Sequence, residues 1–465
     1  MEEVGHQPVT RDMFQLIYAY VAGLGPYVAI ALALGLGIPF LLLVTKPARW
    51  LLAFAILFLC LVPFGGGELA GASEGSLFRQ IGWGSTFLLA LFYALHERGR
   101  FSVPWTWVPI PYLVLLAYAL ISVAWSEAPL VSAKRAVQLL GVLFIALALA
   151  RQSKASHALT SFAWPGLFFL LLGVVALAVP WLSIDPDGNY KGFTFTKNVW
   201  GQFALLMALV FMFLALSKTK PRLNWWLFAF ASLSLIATRS ATTILIYVVS
   251  VMVVLYWVAI RRYGGKLMPV SLVSLMLGTV TLFIYFLIHG ALPVDAVLEA
   301  SLGSVGKDTT LTGRTELWRW MGYEIARHPW LGAGYGGFWM GLEGPSFTIV
   351  RFFSWRPGQA HNGYVDVINE LGYVGLALLA WVLVAHLWNI VRLHRSGNEL
   401  TAIFHLAILA AALLLNVSET NFMRTTHLWW IIFSTSIIGV HVHLRQLEQA
   451  ISQAGMGKNP KPLVS

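Results

Sequence analysis

The sequence predicts an all-α polytopic integral membrane protein with about 12 transmembrane helices. Of its 465 residues, 58% are hydrophobic and 11% are charged, whereas charged residues make up about a quarter of an ordinary soluble domain. Apolar segments close to the length of a bilayer span, about 20 residues, recur along nearly the whole chain. These observations exclude an ordinary soluble globular protein and a disordered chain. The single cysteine, Cys60, excludes a disulfide within the chain.

Thirteen apolar segments are candidate spans, and 49–64, 83–96 and 223–237 are short for that role. The stretch 13–25 either lies in the membrane interface or lengthens the first span. We predict twelve spans with both termini cytoplasmic, because 26–64 does not divide cleanly into two. The full set is 26–45, 49–64, 83–96, 104–125, 136–150, 160–182, 199–217, 223–237, 240–260, 267–292, 363–391, 400–417 and 427–444.

The net charge of +11 does not indicate a nucleic-acid partner. The basic residues stand singly or in small groups between apolar runs, as orientation signals do. One set of alternate short loops carries 14 Lys and Arg residues and the opposite set carries 7, so the first set is expected to be cytoplasmic. The start MEEVGHQPVTRD has no basic region of the signal-peptide type, and we expect no cleaved leader.

The pattern divides the chain into four regions. Residues 1–292 hold transmembrane helices 1–9 or 10, 293–360 form a large outer loop, 361–445 hold the C-terminal transmembrane helices, and 446–465 form a cytoplasmic tail. Loops longer than about 15 residues in a compact protein are usually functional. The outer loop is therefore the first place to look for a site.

Part of the outer loop is predicted to be helical. Leu317, Met321 and Ile325 recur every four residues, which indicates an amphipathic helix near 314–328. The following segment HPWLGAGYGGF contains Pro329 and four glycines, which exclude regular structure there.

His361 is the first candidate for chemistry, in the segment GQAHNGYVDVINELGYVG. It lies at the start of an apolar helix, where the helix dipole favours a neutral imidazole, a suitable general base for a hydroxyl. Asn362 beside it is a supporting candidate. The alternative is that His361 only caps the helix at the membrane interface. Gly372 and Gly375 would share one side of this helix and let a neighbouring helix approach closely.

Basic residues at the outer face are candidates for binding an anionic group. The guanidinium of Arg239, at the outer end of a span, and that of Arg314, which opens the loop helix, both suit phosphate oxygens. Alternatively, Arg239 reaches the interface as a membrane anchor and Arg314 pairs with Glu316. Lys191 and Lys197 are weaker candidates of the same kind, with interfacial anchoring as their alternative.

The triplet Asp185-Pro186-Asp187 has the form of a metal-binding DxD motif. Asp-Pro-Asp-Gly is also a good turn sequence, which is the interpretation we favour. We therefore predict no metal site.

Together these motifs resemble the O-antigen ligase and polymerase superfamily of bacterial envelope glycosyltransferases. The resemblance is strongest over 310–375, where GRTELWRWMGYEIARHPWLGAGYGGF looks like the large periplasmic loop of that family. The pattern His361-Asn362, nine residues, then Gly372-x-x-Gly375 matches the ligase pattern H-[NSQ]-x9-G-x-x-G without departure.

The resemblance implies a GT-C-like fold with a partly helical periplasmic loop, and glycan transfer at the outer face of the bacterial inner membrane. The implied donor is a glycan on undecaprenyl diphosphate, and the implied acceptor is a sugar hydroxyl of lipid A–core. Besides these and membrane lipids no partner, cofactor, nucleotide or metal is implied. His361 would take the acceptor proton. Arg239 and Arg314 would neutralise the leaving diphosphate in a single displacement with inversion.

Other functions remain open at this point. An O-antigen polymerase or a protein O-oligosaccharyltransferase of the same superfamily is the nearest alternative. Polymerases match the His-Asn element less well, and protein-glycosylating relatives carry a longer C-terminal region. A secondary transporter is the alternative from another class. Its mid-span ionisable residues would be limited to Asp366 and Glu370, and it gives no reason for the outer loop.

Overall fold

The computed structural model of the protein describes residues 49–63, 77–97, 100–101, 105–150, 155–263 and 311–456, together with Gly278. Its elements there are helical apart from one hairpin of two short strands, β1 (His96–Glu97) and β2 (Arg100–Phe101). The predicted fold class, an all-α polytopic membrane protein, is confirmed. The predicted spans 26–45 and, apart from Gly278, 267–292 lie outside the described residues, as do the stretch 13–25 and residues 293–310 of the predicted loop.

The α-helices of the described residues are numbered here in chain order. They are α1 (Arg49–Leu61), α2 (Leu77–Leu95), α3 (Ile110–Ile121), α4 (Pro129–Ala150), α5 (Ala155–Thr160), α6 (Ala163–Val175), α7 (Pro180–Ser183), α8 (Lys197–Leu216), α9 (Pro221–Ala237), α10 (Ala241–Tyr263), α11 (Leu311–Arg327), α12 (Phe347–Phe352), α13 (Gly363–Arg395), α14 (Glu399–Ser418) and α15 (Leu428–Met456).

Within the described residues, six helical segments are long and apolar enough to cross a membrane. Each of them overlaps a span predicted from the sequence. Two shorter apolar helical segments, Arg49–Leu61 and Ile110–Trp125, overlap predicted spans as well. The total of twelve spans stays a prediction. The six are Pro129–Ala150, Ala155–Ala178, Lys197–Leu216, Ala241–Arg261, Gly363–Arg395 and Glu399–Ser418.

Helix α8 is the most enclosed of these segments and lies at the centre of the bundle. It begins after Thr196, whose hydroxyl accepts a hydrogen bond from Val199 N at 3.3 Å and caps the helix. Its large side chains, such as Trp200 and Phe203, are fully buried, and it packs against α9, α10 and α14. Its first turn, with Asn198, is thereby fixed relative to the ends of α10 and α14.

The predicted loop helix is present as α11. Leu317 and Met321 are fully buried, as their spacing indicated, and they form a second small core with Phe338 and Trp339. The helix ends at Arg327, and residues 328–340 are irregular, as predicted. This part of the outer loop is therefore folded onto the membrane bundle.

The glycine-rich segment 328–340 runs between the N-terminal half of α13 and the turn that joins α3 to α4. A Cβ atom added to Gly332 would lie 2.4 Å from the backbone of Glu370, and one added to Gly334 would lie 2.4 Å from Ser126. The indole of Trp125 donates to Leu331 O at 3.1 Å. The glycines are needed because the segment passes its neighbours at backbone distance.

Gly372 interrupts α13 with φ 66° and ψ −173°. Here the structure corrects the expected helix-packing role, because the neighbour that Gly372 admits is the loop backbone at Trp330, 2.1 Å from an added Cβ. A Cβ on Gly375 would meet Leu371 of the same helix. The break frees two N–H groups of α13, and Tyr373 N donates to Pro329 O at 2.8 Å. The loop thus completes the hydrogen bonding of a broken helix.

Gly372→Ala is expected to destabilise the protein. The backbone conformation alone disfavours a side chain by about 1–3 kcal/mol, and the contact with the Trp330 carbonyl adds to this. Thermal unfolding of the detergent-solubilised protein, followed by tryptophan fluorescence, measures the effect. Gly358→Ala is the matched control, because an added Cβ there meets nothing within 4 Å. Equal unfolding temperatures for both variants would contradict this account.

Candidate functional site

His361 lies directly before α13, and its neighbour Asn362 is the residue that caps the helix. The Asn362 side chain accepts hydrogen bonds from Tyr364 N at 3.0 Å and Val365 N at 3.2 Å. The capping role considered for His361 therefore belongs to Asn362. His361 has a left-handed backbone with φ 49°, and its imidazole is directed elsewhere.

The imidazole of His361 forms a pair with Glu419, the residue that ends α14. His361 Nδ1 lies 3.1 Å from Glu419 Oε2. The other carboxylate oxygen, Oε1, accepts from Asn198 Nδ2 at 2.9 Å and from Arg314 Nη2 at 3.2 Å. Arg314 also donates through Nη1 to Ser418 O at 2.6 Å. Side chains from three other segments of the chain therefore contact the Glu419 carboxylate, which is 13% exposed.

The charge state of Glu419 determines which imidazole nitrogen is available. Burial by itself raises the pKa of Glu419, but the hydrogen bond and charge of His361, then Arg314 and Asn198, outweigh it and bring the pKa below its ordinary value. The ionised carboxylate accepts a hydrogen bond from Nδ1–H, and in this tautomer the neutral ring carries its lone pair on Nε2. None of the described residues forms a hydrogen bond with Nε2. The indole of Trp355 packs beside the ring, with centroids 5.4 Å apart.

Arg239 lies in the turn between α9 and α10, close to this network. Its side chain is exposed and forms no ion pair or side-chain hydrogen bond with the described residues. Its backbone is left-handed, with φ 49°. The next residue, Ser240, donates to Asn198 Oδ1 at 2.9 Å. Arg239 is thus linked through Ser240 and Asn198 to Glu419, and its guanidinium is available to a ligand.

The two lysine candidates lie near Asn198 in the chain. Lys197 is the first residue of α8, next to Asn198, and Lys191 is half-buried in the loop before it.

Arg314 does not pair with Glu316, the alternative considered from the sequence. Glu316 instead accepts from Arg319 at 2.5 Å.

The Asp185 triplet forms a turn. The Asp185 carboxylate accepts from Asp187 N at 3.0 Å and from Asn189 N at 2.8 Å, which is the local bonding of an Asx turn. Among the residues that the structure describes, no group of three or more His, Cys, Asp or Glu side chains could hold a metal ion. The turn interpretation is confirmed.

A second charged cluster lies next to the His361–Glu419 pair. Arg424 contacts Asp366 Oδ2 at 3.0 Å and Glu370 Oε1 at 3.3 Å. Burial disfavours the charged guanidinium, but the two carboxylates outweigh that effect and raise the pKa of Arg424. Glu370 Oε2 accepts from Gly336 N at 2.9 Å, so the cluster also fastens the glycine-rich segment to α13.

Sequence reasoning missed three members of these networks: Glu419, Asn198 and Arg424. The available signal was the run of polar residues SETN followed by Arg424 between two apolar segments, because polar groups at a helix mouth need partners when they are buried. Asp366 and Glu370 were noticed only as ionisable residues near a span end.

The fold and these contacts define a class of protein, a polytopic membrane protein with a buried polar site between helix ends. Residues 226–380 match the family described as O-antigen ligase. The matched region contains Arg239, Arg314 and His361 and ends before Glu419. The resemblance stated from the sequence is confirmed at this level.

A curated relative extends the similarity. The chain is 31% identical over 293 residues to the exopolysaccharide production protein ExoQ of Rhizobium meliloti (strain 1021). The alignment covers 59% of this chain and 64% of the length of that protein, which is less than two thirds of the relative.

Glu419→Gln is expected to lower the unfolding temperature near neutral pH and to have less effect in acid. Because the pKa of Glu419 is depressed in the folded protein, the ionised form stabilises the fold above the ordinary carboxylate range. This contribution is lost as the pH falls through the folded pKa. Thermal unfolding at neutral pH and at the lowest pH at which the wild type still folds, below the ordinary carboxylate range, measures the difference from wild type.

The matched control is Glu324→Gln, which breaks a surface ion pair with Arg327. Such pairs contribute little, so its effect on the unfolding temperature should be small at either pH. An effect of Glu419→Gln that is equally large at both pH values would contradict the assignment of an ionised, stabilising carboxylate.

Proposed function

We propose that the protein is an O-antigen ligase, a membrane glycosyltransferase that moves a glycan from undecaprenyl diphosphate to a sugar hydroxyl of lipid A–core. The observation that carries the proposal is the His361–Glu419 pair, with Nδ1 held at 3.1 Å and Nε2 open. The exposed Arg239 directly precedes Ser240, which is linked to Glu419 through Asn198. A general base oriented by a carboxylate, together with an exposed arginine that can bind phosphate oxygens, suits glycan transfer from a phosphate leaving group.

His361 acts as the general base. The acceptor hydroxyl gives its proton to Nε2 as its oxygen bonds to the anomeric carbon of the donor sugar. Glu419 fixes the tautomer and stabilises the imidazolium that forms, the role that a buried carboxylate has in hydrolase triads. The half-buried imidazole beside Trp355 is shielded from bulk water, which favours the sugar hydroxyl over hydrolysis.

The leaving group is the undecaprenyl diphosphate, which departs with the electron pair of the broken bond to the anomeric carbon. Arg239 binds its phosphate oxygens, because that guanidinium is exposed and forms no ion pair with the described residues. Arg314 is already bonded to Glu419 and to Ser418 O. Its part is to hold the carboxylate and add positive potential, with Lys197 and Lys191 contributing charge nearby and Asn362 fixing the start of α13.

The displacement is single and inverts the anomeric centre. Both oxygens of Glu419 are occupied, Oε1 by Asn198 and Arg314 and Oε2 by His361. This carboxylate is therefore not presented as a nucleophile. The diphosphate already activates the anomeric carbon, so the proposed reaction requires neither metal nor nucleotide.

We place this reaction at the periplasmic face of the bacterial inner membrane. The distribution of basic residues supports that orientation, because it assigns the loop with α11 and α12 to the outer side. In this proposal residues 293–360 are the periplasmic loop, which covers the site and admits both lipid-anchored substrates from the membrane. Residues 1–292 and 361–445 hold the spans, and 446–465 form the cytoplasmic tail.

A polymerase is the second candidate, favoured by the similarity to a protein named for exopolysaccharide production. Its base and leaving group would be the same. The acceptor would be a sugar hydroxyl of a second lipid-linked glycan instead of lipid A–core.

A transfer assay with purified protein in lipid tests the proposal. His361→Ala is expected to lower kcat by roughly 10²- to 10⁴-fold, the usual contribution of a general base. His328→Ala is the control, since His328 is half-exposed at the start of the glycine-rich segment. EDTA should leave the rate unchanged. Full activity of His361→Ala would exclude it as the base.

The acceptor in the same assay separates the candidate functions. Glycan that appears on lipid A–core only when that acceptor is present identifies a ligase. A ladder of longer glycans on the carrier lipid without lipid A–core identifies a polymerase. No transfer of either kind by folded protein would reject both.

The two arginines should differ in their kinetic effects. Arg239→Ala is expected to raise the donor KM by roughly ten- to hundredfold, because charge-assisted hydrogen bonds to phosphate are lost. Arg314→Ala should mainly lower kcat, because it releases Glu419. Arg327→Ala, an exposed arginine of the same loop helix, is the control. A donor KM unchanged in Arg239→Ala would remove its assignment to the diphosphate.

A further inference from the structure

Asp366, in the first turn of α13, is almost fully buried and contacts the chain on both sides of the His361–Glu419 pair. Ala360 N, one residue before His361, donates to Oδ2 at 3.1 Å and to Oδ1 at 3.3 Å. The hydroxyl of Thr420, one residue after Glu419, donates to Oδ2 at 2.6 Å. We infer that Asp366 is a positioning residue. It sets the distance between His361 and Glu419 by binding the residue next to each of them in the chain.

The backbone at His361 shows why such a hold is needed. Its left-handed conformation, φ 49°, is unfavourable for a non-glycine residue and persists only where the surroundings enforce it. Asp366 fixes the residue before it through Ala360 N. Asn362 fixes the residues after it by capping α13. His361 is thereby held from both sides.

Asp366 is itself held in place. Trp339 Nε1 donates to Oδ1 at 2.6 Å, and Arg424 Nη2 donates to Oδ2 at 3.0 Å. Each oxygen has at least two donors, so the carboxylate has little freedom to turn. If the carboxylate moved, Ala360 and Thr420 would therefore move with it.

Glu370 provides a matched comparison on the same helix, one turn further on. It shares Arg424 with Asp366 and is as deeply buried. Glu370 also accepts from Gly336 N, and the charge of Arg135 acts on it as well. None of these groups adjoins His361 or Glu419. Replacement of either acid removes a buried charge beside Arg424, but only replacement of Asp366 releases the pair.

The first test is kinetic and rests on the proposed function. In Asp366→Asn, an NH₂ group replaces one acceptor oxygen, and kcat for transfer is expected to fall roughly ten- to hundredfold, the effect of about 1 Å of misplacement. The donor KM should stay within about twofold, because Arg239 is untouched. Glu370→Gln should lower kcat far less at a similar loss of unfolding temperature.

A milder pair of variants covers the case in which Asp366→Asn does not fold. Thr420→Val removes the bond on the Glu419 side and should lower kcat. Thr425→Val removes the hydrogen bond of another buried threonine hydroxyl in the same segment, which goes to Gln138 and not to Asp366, and should leave kcat near wild type. The reverse order of these two effects would overturn the inference.

The second test does not use transfer activity. Diethyl pyrocarbonate modifies accessible imidazoles, and mass spectrometry reports the rate for each peptide. His361, 18% exposed, should be modified faster in Asp366→Asn than in wild type and in Glu370→Gln. The exposed His394 should react equally in all three.

The outcomes are distinct for the inference and for the proposed function. If wild type performs no glycan transfer, the proposed function fails, while the modification rates still decide whether Asp366 positions His361. If Asp366→Asn keeps wild-type kcat, or if it and Glu370→Gln lower kcat alike, Asp366 is only structural and the inference is wrong. An unchanged modification rate at His361 in Asp366→Asn would also overturn it.

Discussion

The end of the helix bundle that carries the candidate site depends on the buried ion cluster in which Arg424 contacts Asp366 and Glu370. Charges removed from water are costly unless each one is paired and hydrogen-bonded. The remaining acceptor positions of the two acids are filled by Trp339 and Gly336 of the glycine-rich segment. The requirement to satisfy two carboxylates therefore brings the segment after α14, the outer loop and the start of α13 to one place.

The sequence was sufficient for the parts of the fold that depend on periodicity and composition. The apolar segments predicted spans, the spacing of Leu317 and Met321 predicted α11, and the Pro-Gly run predicted an irregular segment. The interruption of α13 at Gly372 could not be predicted, because it depends on carbonyls of a loop more than 40 residues earlier in the chain. A glycine in an apolar helix is equally compatible with a close helix neighbour.

Of the residues at the candidate site, the sequence predicted His361, its neighbour Asn362 and the basic residues, but not the acid that pairs with His361. His361 stands in a recognisable pattern, whereas its partner Glu419 lies 58 residues further on, at the end of a different helix. A single sequence does not predict such a pair. The packing of α8, α13 and α14 determines which helix ends lie together. Arg314 illustrates the same limit. The local rule paired it with Glu316 two residues away, but the fold presents a buried carboxylate and a free carbonyl instead.

The left-handed backbone at His361 and Arg239 has a consequence for how the chain could change. At such positions glycine or asparagine is conformationally easier, so replacement would relax local strain while removing the imidazole or the guanidinium. At Arg239, which forms no ion pair with the described residues, selection for thermal stability alone would therefore favour such a replacement. At His361 the strain is offset by the hydrogen bond to Glu419, so a replacement there would also release the residue that follows α14.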